Sequence, residues 1–135
     1  MTDRPLAGLH VLVVDDQEDA LEIVEHVFEQ SGAVVVAAHS AREAFAAFLT
    51  CRPNAIVSDI SMPEESGNDL IRKIRQLPAG DGGTVPAVAL SAAADRASRH
   101  RALEAGFDAF EPKPVFDTSS LIALVFRLAR SHPAV

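Results

Sequence analysis

The feature that most restricts the fold is an alternation of two apolar patterns, repeated five times along 135 residues. Short β-branched runs occur at VLVV (11–14), AVVVAA (33–38), AIVS (55–58) and AVAL (87–90), with a weaker one at DAF (108–110). Runs this continuously apolar suit strands covered on both faces, as in a parallel sheet. Helical patterns lie between them. Leu21, Val24, Val27 and Phe28 keep one face up to EQSG, where Gly32 can end the helix. Ser40 with Glu43 three residues on predicts a capping box ahead of Ala44, Phe45 and Phe48. GNDLIRKIRQL offers Leu70, Ile71, Ile74 and Leu77, and a weakly amphipathic stretch rich in alanine and arginine covers about 94–105. TSSLIALVFRLAR supplies the last helix, with Asp117, Thr118 or Ser119 as its cap, and PAGDGG (78–83) reads as a flexible loop.

Alternating strand and helix in this way argues for an α/β sandwich around a parallel sheet, formed by one domain over 1–135 with its core at about 9–130. Right-handed crossovers with helices on both faces leave few topologies, and a five-stranded order of 2-1-3-4-5 is expected. Ligands of such sheets sit beyond the C-terminal ends of the strands, at the switch point between strands one and three.

The residues that follow each strand make a coherent set. Strand one runs into Asp15 and Asp16, and strand three into Asp59; strand four ends at Ser91, and Lys113 follows strand five. Neighbouring strands lie about 4.8 Å apart, so Asp16 and Asp59 are close enough to share one small ion. Three clustered carboxylates repel one another unless a cation is shared, and hard oxygen ligands of this kind suit Mg²⁺. Glu18 and Asp19 need no such role, because acids at a helix N-terminus complement its dipole.

In this order and spacing, VLVVDDQED, IVSDISMPEESG, VALSA and FEPKPV resemble the receiver domain of two-component response regulators, over about Leu9 to Arg130. The resemblance implies a flavodoxin-like, doubly wound (βα)5 fold, in agreement with the pattern above. It implies Asp59 as the phosphoryl acceptor, Asp15 and Asp16 with Asp59 and the Ser61 backbone carbonyl as Mg²⁺ ligands, and Ser91 as the switch hydroxyl. It further implies Lys113 as the lysine that pairs with the phosphoryl group, Phe110 as the aromatic switch position, and a cis Lys113–Pro114 bond. The implied donor is a histidine kinase or a histidine phosphotransfer protein. The implied output is a change in the surface of the fourth helix, fifth strand and fifth helix, which binds a downstream partner or a second copy. Phe110 stands where many relatives have tyrosine, Ala93 offers no side chain to place a hydrolytic water, and Ser61 offers a small one. LAGLHVLVVDD and GGTVPAVALSA lean toward the receivers of hybrid histidine kinases.

Competing functions fit less well. A flavodoxin-like cofactor site would need phosphate donors after strand one, where DDQED instead repels phosphate, and neither a Rossmann fingerprint nor a P-loop is present. An aspartate-nucleophile phosphatase would carry D-x-D at that position, not adjacent aspartates. A receiver-like module that binds proteins without phosphorylation remains the alternative. A net charge of −7 disfavours direct contact with nucleic acid. Cys51 is the only cysteine, no apolar run approaches a membrane span, and MTDRPLAG has no signal-peptide core, which together suggest a cytoplasmic protein. The chain ends at Val135 with no output domain in view, which leaves open a stand-alone protein or a piece of a longer one.

Overall fold

Each of the five β-branched runs forms a strand. In the computed structural model, which describes residues 4–113 and 118–131, these are β1 (His10–Val14), β2 (Val34–Ala38), β3 (Ala55–Asp59), β4 (Ala87–Ser91) and β5 (Ala109–Pro112). All pair in parallel in the order β2-β1-β3-β4-β5. The helices are α1 (Glu18–Gln30), α2 (Ala41–Cys51), α3 (Gly67–Arg75), α4 (Arg96–Ala105) and α5 (Thr118–Ser131). The fold is therefore the flavodoxin-like sandwich expected.

Side chains alternate across a strand, so the sheet divides the core into two. Leu12, Val14, Ile56, Ala87 and Ala89 meet Phe48 of α2, Leu70, Ile71 and Ile74 of α3, and Ala102 of α4. On the opposite face Val11, Val13, Val57, Val88 and Leu90 meet Leu21, Val24 and Phe28 of α1 and Leu121 and Val125 of α5. Every residue of β3 and β4 is buried, which is why these central strands read as unbroken apolar runs. In α5, Ile122 and Phe126 are half-buried against the same core as Leu121, so the second apolar stripe of that helix is partly core.

The helix starts depart from expectation in instructive ways. Ser40 Oγ accepts the Glu43 N–H at 3.1 Å, but the Glu43 carboxylate takes the His39 N–H rather than that of Ser40. A complete capping box occurs instead at α3, where Ser66 and Asp69 exchange both hydrogen bonds. Of the caps proposed for α5, Thr118 and Ser119 lie inside the helix and Asp117 lies outside the described residues. The 78–83 loop is pinned rather than loose. It forms a 3-10 turn at Ala79–Asp81, Arg52 donates to Gly80 O and pairs with Asp81, and Arg75 donates to Gly83 O. No helix among the described residues is long and apolar enough to cross a membrane.

Candidate functional site

Parallel strands deliver their C-terminal residues to one edge, and β1, β3, β4 and β5 each deliver a polar side chain there. Asp15 and Asp16 leave β1, and Asp59 is the last residue of β3. One carboxylate oxygen from each of the three lies within 4.8 Å of the others, a spacing that fits a single small cation. Asp15 is 2% exposed and Asp59 5%, while Asp16 is half-buried. Lys113, just past β5, is held by its own N–H, which donates to Ser91 O at 2.8 Å. Its Nζ lies 2.7 Å from Asp15 Oδ2 and 3.6 Å from Asp59 Oδ1. The first contact is a hydrogen-bonded ion pair; the second is an ion pair too long for a hydrogen bond.

This crowding sets the charge of Asp59. Burial and the neighbouring Asp15 raise the Asp59 pKa to about 6, against the opposing pull of Lys113. Burial alone would lower the Lys113 ammonium, but the hydrogen bond to Asp15 and the charges of Asp59 and Asp15 leave it raised. The second oxygen of Asp15 accepts the Gln17 N–H at 2.9 Å, which fixes the carboxylate at the entrance to α1.

The backbone around Asp59 is tightly held. Ser58 Oγ donates to Asp59 O at 2.9 Å, and the Gly67 N–H donates to Ile60 O at 2.8 Å. A Cβ at Gly67 would collide with the Asp59 carbonyl oxygen and press on Ile60 Cα. Glycine is needed here for close approach of α3 to the strand end. The intervening loop holds Glu64 at φ +68, a left-handed conformation uncommon outside glycine. Ser61, two residues past β3, is exposed.

Ser91 ends β4 and is buried; its hydroxyl donates to Ala93 O and accepts the Ala93 N–H, both at 3.1 Å. Phe110, paired with Ala89 in register, is 7% exposed, so its ring already lies inside the core shared with α3 and α4. The cis Lys113–Pro114 bond involves Pro114, outside the described residues.

One residue at this edge escaped the sequence reading. His39 follows β2, and its Nε2 lies 2.8 Å from Glu18 Oε2 while its Nδ1 lies 3.3 Å from Glu43 Oε1. It ties the first turn of α1 to that of α2 beside the carboxylates, so Glu18 does more than complement a dipole. His39 is the first residue past β2, the same strand-end position that Asp15 holds on β1.

The family model for the response regulator receiver domain matches residues 11–126. The chain belongs to this receiver family. The receiver is 40% identical to the uncharacterized 14.6 kDa protein in the sodA1 3′ region of Leptolyngbya boryana, covering 96% of this chain and 97% of that one. It is 36% identical to the transcriptional regulatory protein PrrA of Mycobacterium tuberculosis, covering 95% of this chain but 53% of that protein. The receiver thus spans about half the length of such regulators. Among solved structures, it superposes on the signal receiver domain of a signal transduction histidine kinase from Syntrophus aciditrophicus with a TM-score of 0.83. That match is at 32% identity and covers 95% of each chain.

Proposed function

We propose that this receiver takes a phosphoryl group from a phosphohistidine of a histidine kinase or histidine phosphotransfer protein onto Asp59. It then signals through the surface of α4, β5 and α5. The observation that carries the reading is the convergence of Lys113 with Asp15 and Asp59 beside a metal-sized carboxylate cluster.

In the transfer, an Asp59 carboxylate oxygen bonds to phosphorus as the P–N bond breaks, and the imidazole leaves with the bonding pair. Both reactants are anionic, so positioning and positive charge do most of the catalysis. Lys113, already 3.6 Å from Asp59, needs a small shift to meet a phosphoryl oxygen. Asp15, Asp16, Asp59 and the Ser61 carbonyl are the groups that would hold Mg²⁺, whose charge offsets that of the phosphoryl oxygens when bound. The all-oxygen donor set and its spacing fit that ion. Ser91 exchanges its hydrogen bonds with Ala93 for one to the phosphoryl group, which draws on the β4–α4 loop. Phe110, on the adjacent strand, packs in the space that this movement changes.

The experiment is incubation with acetyl phosphate and Mg²⁺ followed by intact-mass measurement. One phosphoryl group is expected on the wild type, and none on Asp59→Asn or in EDTA. Equal labelling of Asp59→Asn removes Asp59 from the role. A cytoplasmic location and no direct contact with nucleic acid complete the proposal, from one cysteine and a net charge of −7.

A further inference from the structure

The packed side of α3 is apolar except at its margin. Gly67, Leu70, Ile71 and Ile74 are buried, and beside them Asn68 is half-buried with its Oδ1 out of solvent. Among the described residues, this is the one buried side-chain oxygen or nitrogen with no hydrogen-bond partner. Native folds leave few such atoms, because an enclosed carbonyl loses its bond to water and gains nothing in exchange. Capping does not explain the residue, since Ser66 and Asp69 already exchange both bonds of the α3 capping box. An apolar side chain of similar size would suit the packing better, as Leu70 and Ile71 show.

Helical spacing fixes what Asn68 faces. Ile71 and Arg75 follow it at i+3 and i+7 on one stripe. Arg75 donates to the Gly106 carbonyl at the end of α4, and a Cβ at Gly106 would press on Arg75 Cγ and touch Ile71 Cγ1. The stripe is therefore turned toward α4, while Lys73, over the Phe45 ring, marks the α2 side. α3 and α4 run in the same direction, because each links two parallel strands. Asn68, in the first turn of α3, thus lies at the end of the stripe where the β4–α4 loop crosses from the sheet to α4. That loop is Ala92, Ala93 and Ala94 ahead of the Asp95 cap, so its backbone can close on a neighbour with no large side chain in the way.

We propose that Asn68 is a positioning residue of the switch: when the site is phosphorylated, its Oδ1 accepts the Ala93 N–H that Ser91 releases. In the unphosphorylated protein Ser91 Oγ holds that N–H at 3.1 Å and donates back to Ala93 O at the same distance. Turning Ser91 toward a phosphoryl oxygen breaks both bonds and leaves a donor unmatched, while the facing helix carries an unmatched acceptor. The loop then has two arrangements, one tied to Ser91 and one to Asn68, and phosphorylation chooses between them through the contacts that differ. Ala93 is exposed, so its N–H has water as an alternative; Asn68 Oδ1 is buried and has none, so the gain falls on Asn68. This role rests on Ser91 being the switch hydroxyl, and it adds the residue that secures the loop once the hydroxyl has turned.

The test compares wild type with Asn68→Leu, each free and with Mg²⁺ and beryllofluoride, a phosphoryl mimic. Free Asn68→Leu should melt no lower than the wild type, since it removes a buried unpaired carbonyl. Its affinity for beryllofluoride should fall about three- to tenfold, the size of one hydrogen bond. A merely structural role would lower the melting temperature and leave that affinity unchanged. By NMR, the Ala93 amide should exchange with deuterium several-fold faster in the bound variant than in the bound wild type, and equally in the two free proteins. Equal affinity and equal Ala93 exchange in the bound proteins overturn the proposal. The wild type alone also tests it: its Ala93 amide should stay protected when beryllofluoride binds, and exchange at the rate of an open loop defeats the role of Asn68 while leaving the receiver chemistry intact. A wild type that takes neither beryllofluoride nor a phosphoryl group from acetyl phosphate defeats the receiver chemistry, and this role with it.

Discussion

Replacing Asp59 with asparagine should make the metal-free protein more stable at neutral pH, although it removes the residue on which the proposed chemistry depends. The carboxyl has a pKa of about 6 in the fold against 3.8 as a free side chain, chiefly from burial and then from Asp15. Because the folded value is the higher one, the native state keeps a proton between roughly pH 4 and pH 6 that the unfolded chain has released. Stability therefore falls as pH rises through that window and stays lower above it. A difference of about two units corresponds to about 3 kcal/mol for a group this buried. Asparagine has nearly the same shape and no charge, so up to that amount returns at about pH 7.5 and almost none near pH 4. For a chain of this size that is a rise of roughly 10 °C in Tm. Urea titrations of wild type and Asp59→Asn in EDTA, at both pH values, measure it directly. Mg²⁺ should then narrow the gap by stabilising the wild type more than the variant. The reasoning is refuted if Asp59→Asn is no more stable at about pH 7.5, or gains as much at about pH 4.

Gly67→Ala should destabilise the fold by about 1–3 kcal/mol, because the new methyl meets the Asp59 carbonyl; chemical denaturation reads this, and an unchanged midpoint would mean that α3 shifts freely. The aspartyl phosphate should decay slowly in the wild type and several-fold faster in Ala93→Asn, where a polar side chain can place the attacking water. Equal lifetimes of the phosphoproteins would remove position 93 from hydrolysis. His39 should titrate above the ordinary value of 6.5, raised by its hydrogen bonds to Glu43 and Glu18. Its contribution to stability is therefore full below that value and lost as pH rises through the folded pKa. An NMR titration giving a value at or below 6.5 would mean the α1–α2 tie does not form in solution.

Most of the architecture was legible because β1, β3 and β4 are covered by helices on both faces, so their residue choice is almost purely apolar. β5 was weaker in the sequence because it is an edge strand with only Phe110 fully inside. α4 was faint for a related reason: two alanines anchor it, and alanine gives little contrast in hydropathy. The cap of α3 escaped notice because Asp69 stands where glutamate or glutamine is the usual signal, though its shorter side chain still reaches Ser66 N. The carboxylates and Lys113 could be placed from sequence since strand ends converge in a parallel sheet. The His39 clasp depends on Glu18, 21 residues away in sequence, and no local pattern encodes that contact.

The ion pair between Lys113 and Asp15 joins groups 98 residues apart. All three carboxylates emerge from the ribosome long before that lysine, on strands that already adjoin in the finished sheet. A nascent chain would thus carry the anionic half of the site without its cation, and β5 must dock before the two meet. Closing so long a loop is slow relative to forming the local helices. The capacity to accept a signal would then arrive with the last strand, and truncated or half-made chains would stay silent even where their first three strands have folded.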